Sequence, residues 1–598
     1  MSVTTQPSLF AALELAHPAD AKPLRPYQRE AVDRTRAYWA SGGRRALIAI
    51  PTGTGKTRTF SAILDEELGG ARALVIAHRE ELLDQGAGAI RDHTRYSVGI
   101  EQAERRAGDA QVVLASIQTL ASRGGARLPR RDEIGIIIID EAHHAGGART
   151  YLQALHHYGL AADPGLFNAP TDDEDASAVG RRRRKAIDSF TPDADAPRLL
   201  GVTATPNRSD KVGLEAAFDE IVYERTIGDM IAEGWLCDVR GVRVESATSL
   251  DDVHTTAGDF QQGELQDAVN TPERNRLVVS AYREHATGLQ AIVFCAGVQH
   301  AEDLSAEFTR AGIAADWVSG AHDSGQRRGI IEAYKAGRLD VICNVAVLTE
   351  GFDHPATSCI IMARPTKSTV VYTQALGRGT RLAPGKDCLV VIDVVDAYRK
   401  AGVASANALF GLPPKFAVAG EGLAAQARRV AELAEQYSLP VDALAEAGDY
   451  NDVVTIATTI NPLDVARHDP VLRAAHPANA WLIAPWGYSL SLPHGVLGVV
   501  VNMLGQGTVR WRPRGGGPET LTRDHDPAAA IRWAEQWVTE RHPDAMMLTN
   551  GNARWRSDAP SDKQLGLARK LRIAVPEGAT KGQVSALIDA RMARKEAM

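Results

Sequence analysis

The chain has 598 residues, a formal net charge of −7, 44% hydrophobic residues and 24% charged residues, a composition that excludes disordered and fibrous proteins. No apolar run approaches the ~20 residues that span a bilayer, and the N-terminus lacks the basic start and apolar core of a secretory signal. The five cysteines stand singly, without a Cys-x-x-Cys pair. The sequence therefore predicts a reduced, cytoplasmic protein with no membrane partner, no disulfide framework and no zinc.

The first chemical signal is the segment 51–57, Pro-Thr-Gly-Thr-Gly-Lys-Thr, which follows the apolar run 46–50. A buried strand that enters a glycine turn and then a helix forms a cradle for phosphate groups. We expect Lys56 to reach the β- and γ-phosphates and the Thr57 hydroxyl to bind Mg²⁺. The strict pattern has glycine where Ile50 stands, so a plain glycine turn is the alternative. The predicted nucleotide-binding residues of this loop are Thr52, Gly53, Thr54, Gly55, Lys56 and Thr57.

A second chemical signal follows the apolar run 134–139, where the sequence reads Asp140-Glu141-Ala142-His143. Carboxylates at the carboxyl end of a strand lie where α/β sheets present their chemistry. We expect Asp140 to hold Mg²⁺ and Glu141 to orient and deprotonate the attacking water. The alternative is an acidic turn after a core strand, which a phosphate loop roughly 85 residues upstream makes the weaker interpretation.

Together, eight segments resemble the motifs of superfamily 2 helicases and translocases of the DEAD/DEAH type. In chain order they are residues 24–28, 51–57, 77–79, 115–119, 140–143, 203–206, 349–353 and 374–381. The resemblance implies an α/β fold with two tandem RecA-like parallel-sheet motor domains, and it implies ATP and Mg²⁺ as cofactors. His144, the triplet 364–366 and the ending Gly-Arg-Gly-Thr-Arg are most similar to the XPB-like group, which includes bacterial repair helicases and a yeast mitochondrial DNA helicase.

Composition and periodicity divide the chain into six parts, of which the last three form a C-terminal α+β accessory region. The parts are an N-terminal tail at 1–23, motor domain 1 at 24–228 with a mobile, charge-segregated insertion at about 160–197, motor domain 2 at 229–396, a helical connector at 397–475, a βββα accessory module at 476–545 and a helix pair at 556–598. The basic run 181–185 in the insertion either contacts DNA or pairs with the acidic half of the same insertion, and we favour the second interpretation.

The resemblance also assigns nucleotide contacts outside the phosphate loop. Gln28 can pair with the N6 and N7 edge of adenine, which would favour ATP over GTP. Tyr27 or Arg25 would stack on the base, although a plain helix start explains this segment equally well. Gly351 and Asp353 would face ATP from the second motor domain.

Arg378 and Arg381 are the predicted arginine fingers. They stand three positions apart, so on a helix they would share one face. In the family such arginines stabilise the charge that builds on the γ-phosphate, an effect of ~10³-fold in rate. Two surface arginines on a helix are the alternative. The residues assigned to coupling between the ATP site and the nucleic-acid site are His143, Thr203, Thr205 and Gln374.

Nucleic-acid contacts are predicted at two places. In the motor domains they rest on the resemblance alone, because hydroxyls at strand ends are more often turn formers or helix caps. These residues are Arg79, Ser116, Thr119 and Thr349. In the accessory module, Arg510 and Arg512 alternate with Trp511, a pattern that suits stacking on unpaired bases. Tryptophan in the core of a small domain is the favoured alternative.

The sequence thus predicts an ATP-dependent DNA helicase or translocase that moves along or remodels DNA in repair or recombination. DNA is favoured over RNA because DEAH RNA helicases usually have Arg-x-Gly-Arg-Ala-Gly-Arg where this chain has Leu-Gly-Arg-Gly-Thr-Arg. Three alternatives stay open: the motor subunit of a restriction or phage-defence complex with a protein partner, an RNA helicase, and a non-catalytic ATP-dependent DNA clamp.

Overall fold

A computed structural model describes the chain from residue 23 to residue 595 with short gaps. The gaps are 78–80, 146–147, 168–181, 188, 205–213, 257, 349–351, 398–402, 414–415, 418–421, 438–443, 445–446, 451, 454–465, 467–468, 485, 503–504, 525, 552, 572, 574 and 577. The chain forms two compact units. The first unit comprises Met1–Met230, Leu348–Asp353 and Thr373–Arg378, and the second comprises Ile231–Val347, His354–Tyr372 and Gly379–Met598.

A seven-stranded parallel sheet forms the centre of the first unit, in the strand order β3-β4-β2-β5-β6-β1-β7. Its strands are β1 Arg45–Ala49, β2 Arg72–Ala77, β3 Val98–Glu101, β4 Val112–Ser116, β5 Ile134–Asp140, β6 Arg198–Thr203 and β7 Glu220–Glu224. The helices are α1 Pro26–Ala40, α2 Lys56–Glu67, α3 Glu81–His93, α4 Ile117–Ala121, α5 Arg149–His157 and α6 Ile227–Ala232. Helices cover both faces of such a sheet, so the central strands are continuous apolar runs.

The second unit contains a six-stranded parallel sheet in the order β12-β13-β11-β14-β15-β8. Its strands are β8 Asp238–Ser249, β11 Ala291–Phe294, β12 Ala315–Val318, β13 Val341–Asn344, β14 Cys359–Met362 and β15 Cys388–Ala397, and the small pair β9 Thr255–Thr256 and β10 Asp259–Phe260 lies outside it. The helices are α7 Gln262–Val269, α8 Pro272–His285, α9 Val298–Arg310, α10 Ser324–Lys335 and α11 Thr369–Gly379. Two tandem parallel sheets confirm the predicted fold class.

Only three of these six strands, β11, β13 and β15, were predicted from sequence. The edge strand β8 alternates half-buried and exposed residues and lacks an apolar run. The other two missed strands, β12 and β14, are only four residues long. Short strands of this kind are specified by their neighbours in the sheet more than by their own residues.

The accessory module contains a five-stranded antiparallel sheet whose strands follow chain order, β16-β17-β18-β19-β20. They are β16 Leu482–Ala484, β17 Gly487–Leu492, β18 Gly495–Val501, β19 Gly507–Pro513 and β20 Glu519–Asp524. The prediction of three strands was wrong, because β17 carries serines at alternate positions and β20 is rich in threonine and charge. The connector and module helices are α12 Ala406–Leu409, α13 Leu423–Tyr437, α14 Pro470–Ala475, α15 Pro527–Arg541 and α16 Met546–Thr549.

The C-terminal helix pair consists of α17 Asp562–Lys570 and α18 Lys581–Lys595. Ser561 begins α17 with a capping box, as predicted. Leu482 of β16 packs with Ala586 and Ala590 of α18, so the pair lies against the module's sheet.

Residues 1–22 of the predicted tail, and residues 168–181 and 188 of the predicted insertion, lie outside the described residues. The described part of the insertion contacts the domain, since Arg131 pairs with Asp193 at 2.8 Å. Among the described helices, none is long and apolar enough to cross a membrane. The six domain boundaries stay predictions.

Candidate active site

The phosphate loop is shaped by two glycines in left-handed backbone. Gly53 and Gly55 have φ values of 86° and 85°, in the region that favours glycine. A Cβ on Gly55 would lie 2.6 Å from Nε2 of Gln28, which no side chain could occupy without displacement. Helix α2 begins directly after Gly55, so its N-terminal N–H groups and partial positive charge lie at the loop. The geometry is that of an anion cradle.

Two residues of α1 form hydrogen bonds with the backbone of this loop. The Tyr27 hydroxyl donates to the carbonyl oxygen of Thr54 at 2.6 Å, and Gln28 Nε2 donates to the same oxygen at 3.1 Å. Gln28 Oε1 accepts from the backbone N–H of Arg25 at 3.0 Å. The Tyr27 ring is only 2% exposed and is not available to stack on a base, so it positions the loop. Of the two predicted stacking residues, Arg25 alone is exposed.

An ion pair joins the loop to the end of β5. Lys56 Nζ lies 2.6 Å from Glu141 Oε1, and each side chain is 10% exposed. Glu141 has φ 50° and donates its backbone N–H to Asp140 Oδ1 at 3.0 Å. Thr57 follows Lys56 in the first turn of α2 and supplies a hydroxyl. Hydroxyl and carboxylate oxygens are the donors that Mg²⁺ prefers, so Thr57 and Asp140 are a fitting pair for that ion.

A short chain of buried polar groups leads from Glu141 to the end of β6. His143 Nδ1 lies 3.5 Å from Glu141 Oε2 and 3.1 Å from the Thr203 hydroxyl. Thr203 is fully buried. The predicted coupling residues His143 and Thr203 are therefore in direct contact, whereas Thr205 lies outside the described residues.

The C-terminal half of α11 belongs to the same compact unit as the phosphate loop. A Cβ on Gly377 would lie 2.5 Å from the Cβ of Thr52, so glycine is what allows α11 to approach the loop. Arg378 is 6% exposed and donates from Nη1 to the carbonyl oxygen of Phe352 at 2.9 Å. Gln374, on the same helix, is buried. Asp353 is exposed at the neighbouring segment, and Gly351 lies outside the described residues.

The prediction that Arg378 and Arg381 share a helix face was wrong. Helix α11 ends at Gly379, two residues before Arg381. The amino group of Lys386 donates to the carbonyl oxygen of Gly379, and the Cys237 N–H donates to that of Thr380 at 2.9 Å. These donors satisfy the carbonyl groups at the helix end from elsewhere in the second unit, so the chain leaves the helix there. Helical spacing therefore does not set the direction of Arg381.

Asp259 is a site residue that sequence reasoning missed. Its carboxylate accepts hydrogen bonds from Arg364 Nη2 at 2.9 Å, the Thr366 hydroxyl at 2.8 Å and the Lys367 N–H at 2.8 Å. Asp259 thereby fixes the segment that leads into α11. The partners are more than 100 residues apart in sequence, and no local pattern signals their contact.

A second missed contact holds α11 against β15. The Tyr372 hydroxyl donates to Asp393 Oδ1 at 2.6 Å, and the Ala406 N–H donates to Asp393 Oδ2 at 2.9 Å. Burial raises the pKa of Asp393 to about 6, and the two donors only partly oppose that effect.

The nucleic-acid residues predicted in the first motor domain have a structural role here. Ser116 Oγ donates to the Thr119 hydroxyl at 2.8 Å and accepts the Thr119 N–H at 3.2 Å, which caps α4. Both side chains are buried. The alternative of a helix cap is thus what the structure shows. Arg79 and Thr349 lie outside the described residues.

The alternation along β19 separates the predicted nucleic-acid residues of the accessory module. Trp511 is buried in the core with Val509, whereas Arg510 and Arg512 are only half-buried. Side chains alternate between the two faces of a strand, so the arginines lie on the face opposite to Trp511. Trp511 therefore cannot stack on bases beside them.

Three families match the chain in succession. They are "Type III restriction enzyme, res subunit" at residues 21–208, "Helicase conserved C-terminal domain" at 273–383 and "Mitochondrial helicase Irc3, C-terminal domain" at 502–598. The chain is 31% identical over 412 residues to the "Putative ATP-dependent helicase IRC3" of Saccharomyces cerevisiae, which covers 65% of this chain and 54% of the yeast protein.

Other relatives share the same region. The "Putative mitochondrial ATP-dependent helicase irc3" of Schizosaccharomyces pombe is 30% identical, with 65% of this chain and 60% of that protein covered. The "Type I restriction enzyme EcoKI endonuclease subunit" of Escherichia coli is 25% identical, with 63% and 34% covered. The chain thus spans little more than half the length of the two yeast relatives.

Among solved structures, the chain also matches the "ATP-dependent Type ISP restriction-modification enzyme LlaBIII bound to DNA", at 19% identity and a TM-score of 0.44, which covers 64% of this chain and 28% of that one. The structure "S. cerevisiae Dbp5 bound to RNA and ADP BeF3" has 18% identity and a TM-score of 0.37, and covers 62% and 88%.

Two parallel-sheet domains in tandem, the first with a phosphate loop and a carboxylate pair at its strand ends, define the RecA-like motor proteins. Within that class, the family matches run in the order of a helicase motor core followed by an accessory domain. The matches with these families and relatives indicate a superfamily 2 helicase of the DEAD/DEAH type. Its place in the XPB-like group stays a prediction.

Proposed function

We propose that this protein is an ATP-dependent DNA helicase or translocase that moves along or remodels DNA. The observation that supports it best is the contact of 2.6 Å between Lys56 and Glu141 at the mouth of the phosphate loop. It places the cation for the phosphates beside the carboxylate that suits a general base. The relatives named as ATP-dependent helicases support the same assignment.

The proposed chemistry begins when the phosphates draw Lys56 away from Glu141. Glu141 then accepts a proton from the attacking water as that water's oxygen bonds to the γ-phosphorus and the bond to the β-phosphate oxygen breaks. Arg378 and Arg381 stabilise the negative charge that develops, and the Thr52–Thr57 loop holds the phosphates. Bound Mg²⁺, held by Thr57 and Asp140, would neutralise charge on the β- and γ-phosphates.

Coupling to DNA follows the buried contacts from the ATP site. His143 contacts both Glu141 and Thr203, so a change in the Glu141 pairing reaches the end of β6 directly. We assign Thr205 and Gln374 to the same coupling on the family resemblance. The proposed DNA contacts are Arg79, Ser116, Thr119, Thr349, Arg510 and Arg512, with Ser116 and Thr119 dependent on opening of the α4 cap.

A role in repair or recombination is proposed on the resemblance of the motifs to the XPB-like group. The preference for DNA is supported by the last helicase motif and by the restriction-enzyme relatives. The same relatives favour a second candidate, the motor subunit of a restriction or phage-defence complex. Co-purification of a nuclease with the native protein would support that candidate. A cytoplasmic location is proposed from the unpaired cysteines, and the fission yeast relative is named as mitochondrial.

Steady-state ATPase activity, measured without polymer and with single-stranded DNA, duplex DNA, forked DNA or RNA, tests the proposal. We expect strong stimulation by one form of DNA and loss of activity in Lys56→Ala. Stimulation by RNA alone would identify an RNA helicase. No stimulation by any polymer, with ATP still bound, would contradict an autonomous motor.

A further inference from the structure

We propose that His494, His542 and Asp544 form a binding site for one divalent transition-metal ion of the zinc type. The three side chains lie in the accessory module and take no part in the proposed ATP chemistry. Their ligand atoms, two imidazole nitrogens and one carboxylate oxygen, all lie within 4.8 Å of one another.

The three donors come from two segments, the turn at His494 and the stretch 542–544, that the fold brings together. His494 lies in the turn between β17 and β18. His542 follows the end of α15, and Asp544 lies in the 3-10 turn Pro543–Ala545 directly after it. The backbone of His542 is fixed at both ends, because its N–H donates to Val538 at 2.8 Å and its carbonyl accepts from Ala545 at 3.0 Å.

The spacing of two of the three ligand atoms already fits a metal site. His494 Nε2 lies 3.4 Å from Asp544 Oδ2. In a tetrahedral zinc site with bonds of ~2.0–2.1 Å, neighbouring ligand atoms lie about 3.4 Å apart. The His542 nitrogen lies within 4.8 Å of both, so it has to approach by at most roughly 1.4 Å to complete a three-ligand site, with water in the fourth position.

The surroundings favour an ion at this place. The rings of Trp511 and Trp537 lie 5.1 Å and 5.0 Å from the His542 ring and form an apolar wall on one side. His494 and Asp544 are exposed, so an ion can reach them from solvent. Apolar surroundings strengthen charge–ligand attraction, and a second shell of this kind controls solvent access.

The donor set selects the class of ion. Two imidazoles and one carboxylate suit Zn²⁺, Co²⁺ or Ni²⁺, whereas Mg²⁺ and Ca²⁺ prefer oxygen ligands alone. The sequence prediction of no zinc rested on the lack of paired cysteines, and it did not test a site built from distant histidines. A bound ion would join the β17–β18 turn to the end of α15 and so stabilise the accessory module.

The test is a titration of the full-length, tag-free protein with Co²⁺ and Zn²⁺ after treatment with a chelator. Calorimetry gives affinity and stoichiometry, and the visible absorption of Co²⁺ reports its ligand geometry. His542→Asn and His494→Asn remove one ligand each. His476→Asn is the matched control, because His476 has φ 49°, a backbone conformation that asparagine accepts, and lies outside the cluster.

We expect one equivalent of metal to bind to the wild type and to His476→Asn, with at least ~10-fold weaker binding in both ligand variants. Metal should also raise the thermal midpoint of the wild type and not those of the ligand variants. All three variants should keep the basal ATPase activity, which shows that they are folded. Equal affinity in the wild type and both ligand variants, or no binding at ~1 mM metal, would overturn the proposal.

Discussion

Lys56 Nζ and Glu141 Oε1 lie 2.6 Å apart, so the cation of the phosphate loop neutralises the carboxylate that suits a general base. Both side chains are mostly buried, and a buried charge is costly without a partner. The pair therefore keeps both buried charges neutralised until phosphate groups compete for Lys56. Glu141 also contacts His143, and His143 contacts Thr203. A change in the partner of Glu141 is therefore transmitted to Thr203 through His143.

The phosphate loop gives a prediction about space at Gly55. Gly55→Ala places a Cβ 2.6 Å from Gln28 Nε2 at a φ of 85°, so either the Gln28 amide leaves its hydrogen bond to Thr54 or the loop backbone shifts. We expect ATP affinity to fall at least ~10-fold, measured by fluorescent nucleotide titration, because the backbone N–H groups lose their alignment with the phosphates.

Gly69→Ala is the matched control for Gly55. Gly69 has φ 60°, but no atom lies within 4 Å of a Cβ at that position. The control carries the same kind of backbone strain, about 1 kcal/mol, without the clash. It should lower stability and keep ATP affinity, and equal ATP affinity in both variants would contradict the steric argument.

Arg378 gives a prediction about turnover. Arg378→Ala should lower kcat by ~10²–10³-fold with little change in the Kd for ATP, because an arginine finger acts on charge that develops in the transition state. Arg310→Ala, at a surface ion pair with Glu307, is the control and should leave kcat unchanged. A wild-type kcat in Arg378→Ala would show that the α11 arginine has only a structural role.

Asp393 gives a prediction about pH. Its folded pKa of about 6 lies above the ordinary value of 3.8, so the folded state holds the proton more tightly than the unfolded state. The free energy of unfolding that this group contributes is fully present below pH 4 and is lost as pH rises through 6, by an amount on the order of 3 kcal/mol.

Asp393→Asn removes that titration. The variant also faces the Ala406 N–H with an amide donor, a cost that does not vary with pH. The free energy of unfolding of Asp393→Asn minus that of the wild type should therefore be larger at pH 7.5 than at pH 4.5. Urea unfolding followed by tryptophan fluorescence measures this difference. Glu302→Gln, at an exposed carboxylate of α9, should show the same difference at both pH values, and a pH-independent difference for Asp393→Asn would contradict the assignment.

The sequence predicts those parts of the fold that short patterns specify. The run 134–140 is apolar enough to be a buried strand, and the glycines of 51–57 predict the loop before α2. Lys56 and Glu141 were each assigned to the ATP site from the motifs, but their contact with each other was not predicted. Long-range partners were not predictable, because Asp259 lies more than 100 residues from Arg364 and has no local signature.

The errors also have physical causes. Arg381 was placed on a helix face because spacing cannot reveal that Lys386 and Cys237 donate to the helix end. Strand β17 was missed because the sheet, and not its own serines, stabilises it. In sequence, Trp511 and Arg510 predict one surface of aromatic and basic residues. Because side chains alternate between the faces of a strand, the two residues lie on opposite faces of β19.

The most direct test of the account is one experiment on Glu141→Gln, in which ATP binding and DNA-stimulated turnover are measured side by side. The variant keeps the shape of the side chain but cannot accept the proton from water. Asp132→Asn, at an exposed carboxylate of the same domain, is the control and should resemble the wild type in both measurements. The account predicts that Glu141→Gln binds ATP at least as well as the wild type, since Lys56 is released from its partner, and turns it over ~10²–10⁴-fold more slowly. An unchanged turnover rate in Glu141→Gln would contradict the role of Glu141 as the general base and of its pair with Lys56 in turnover.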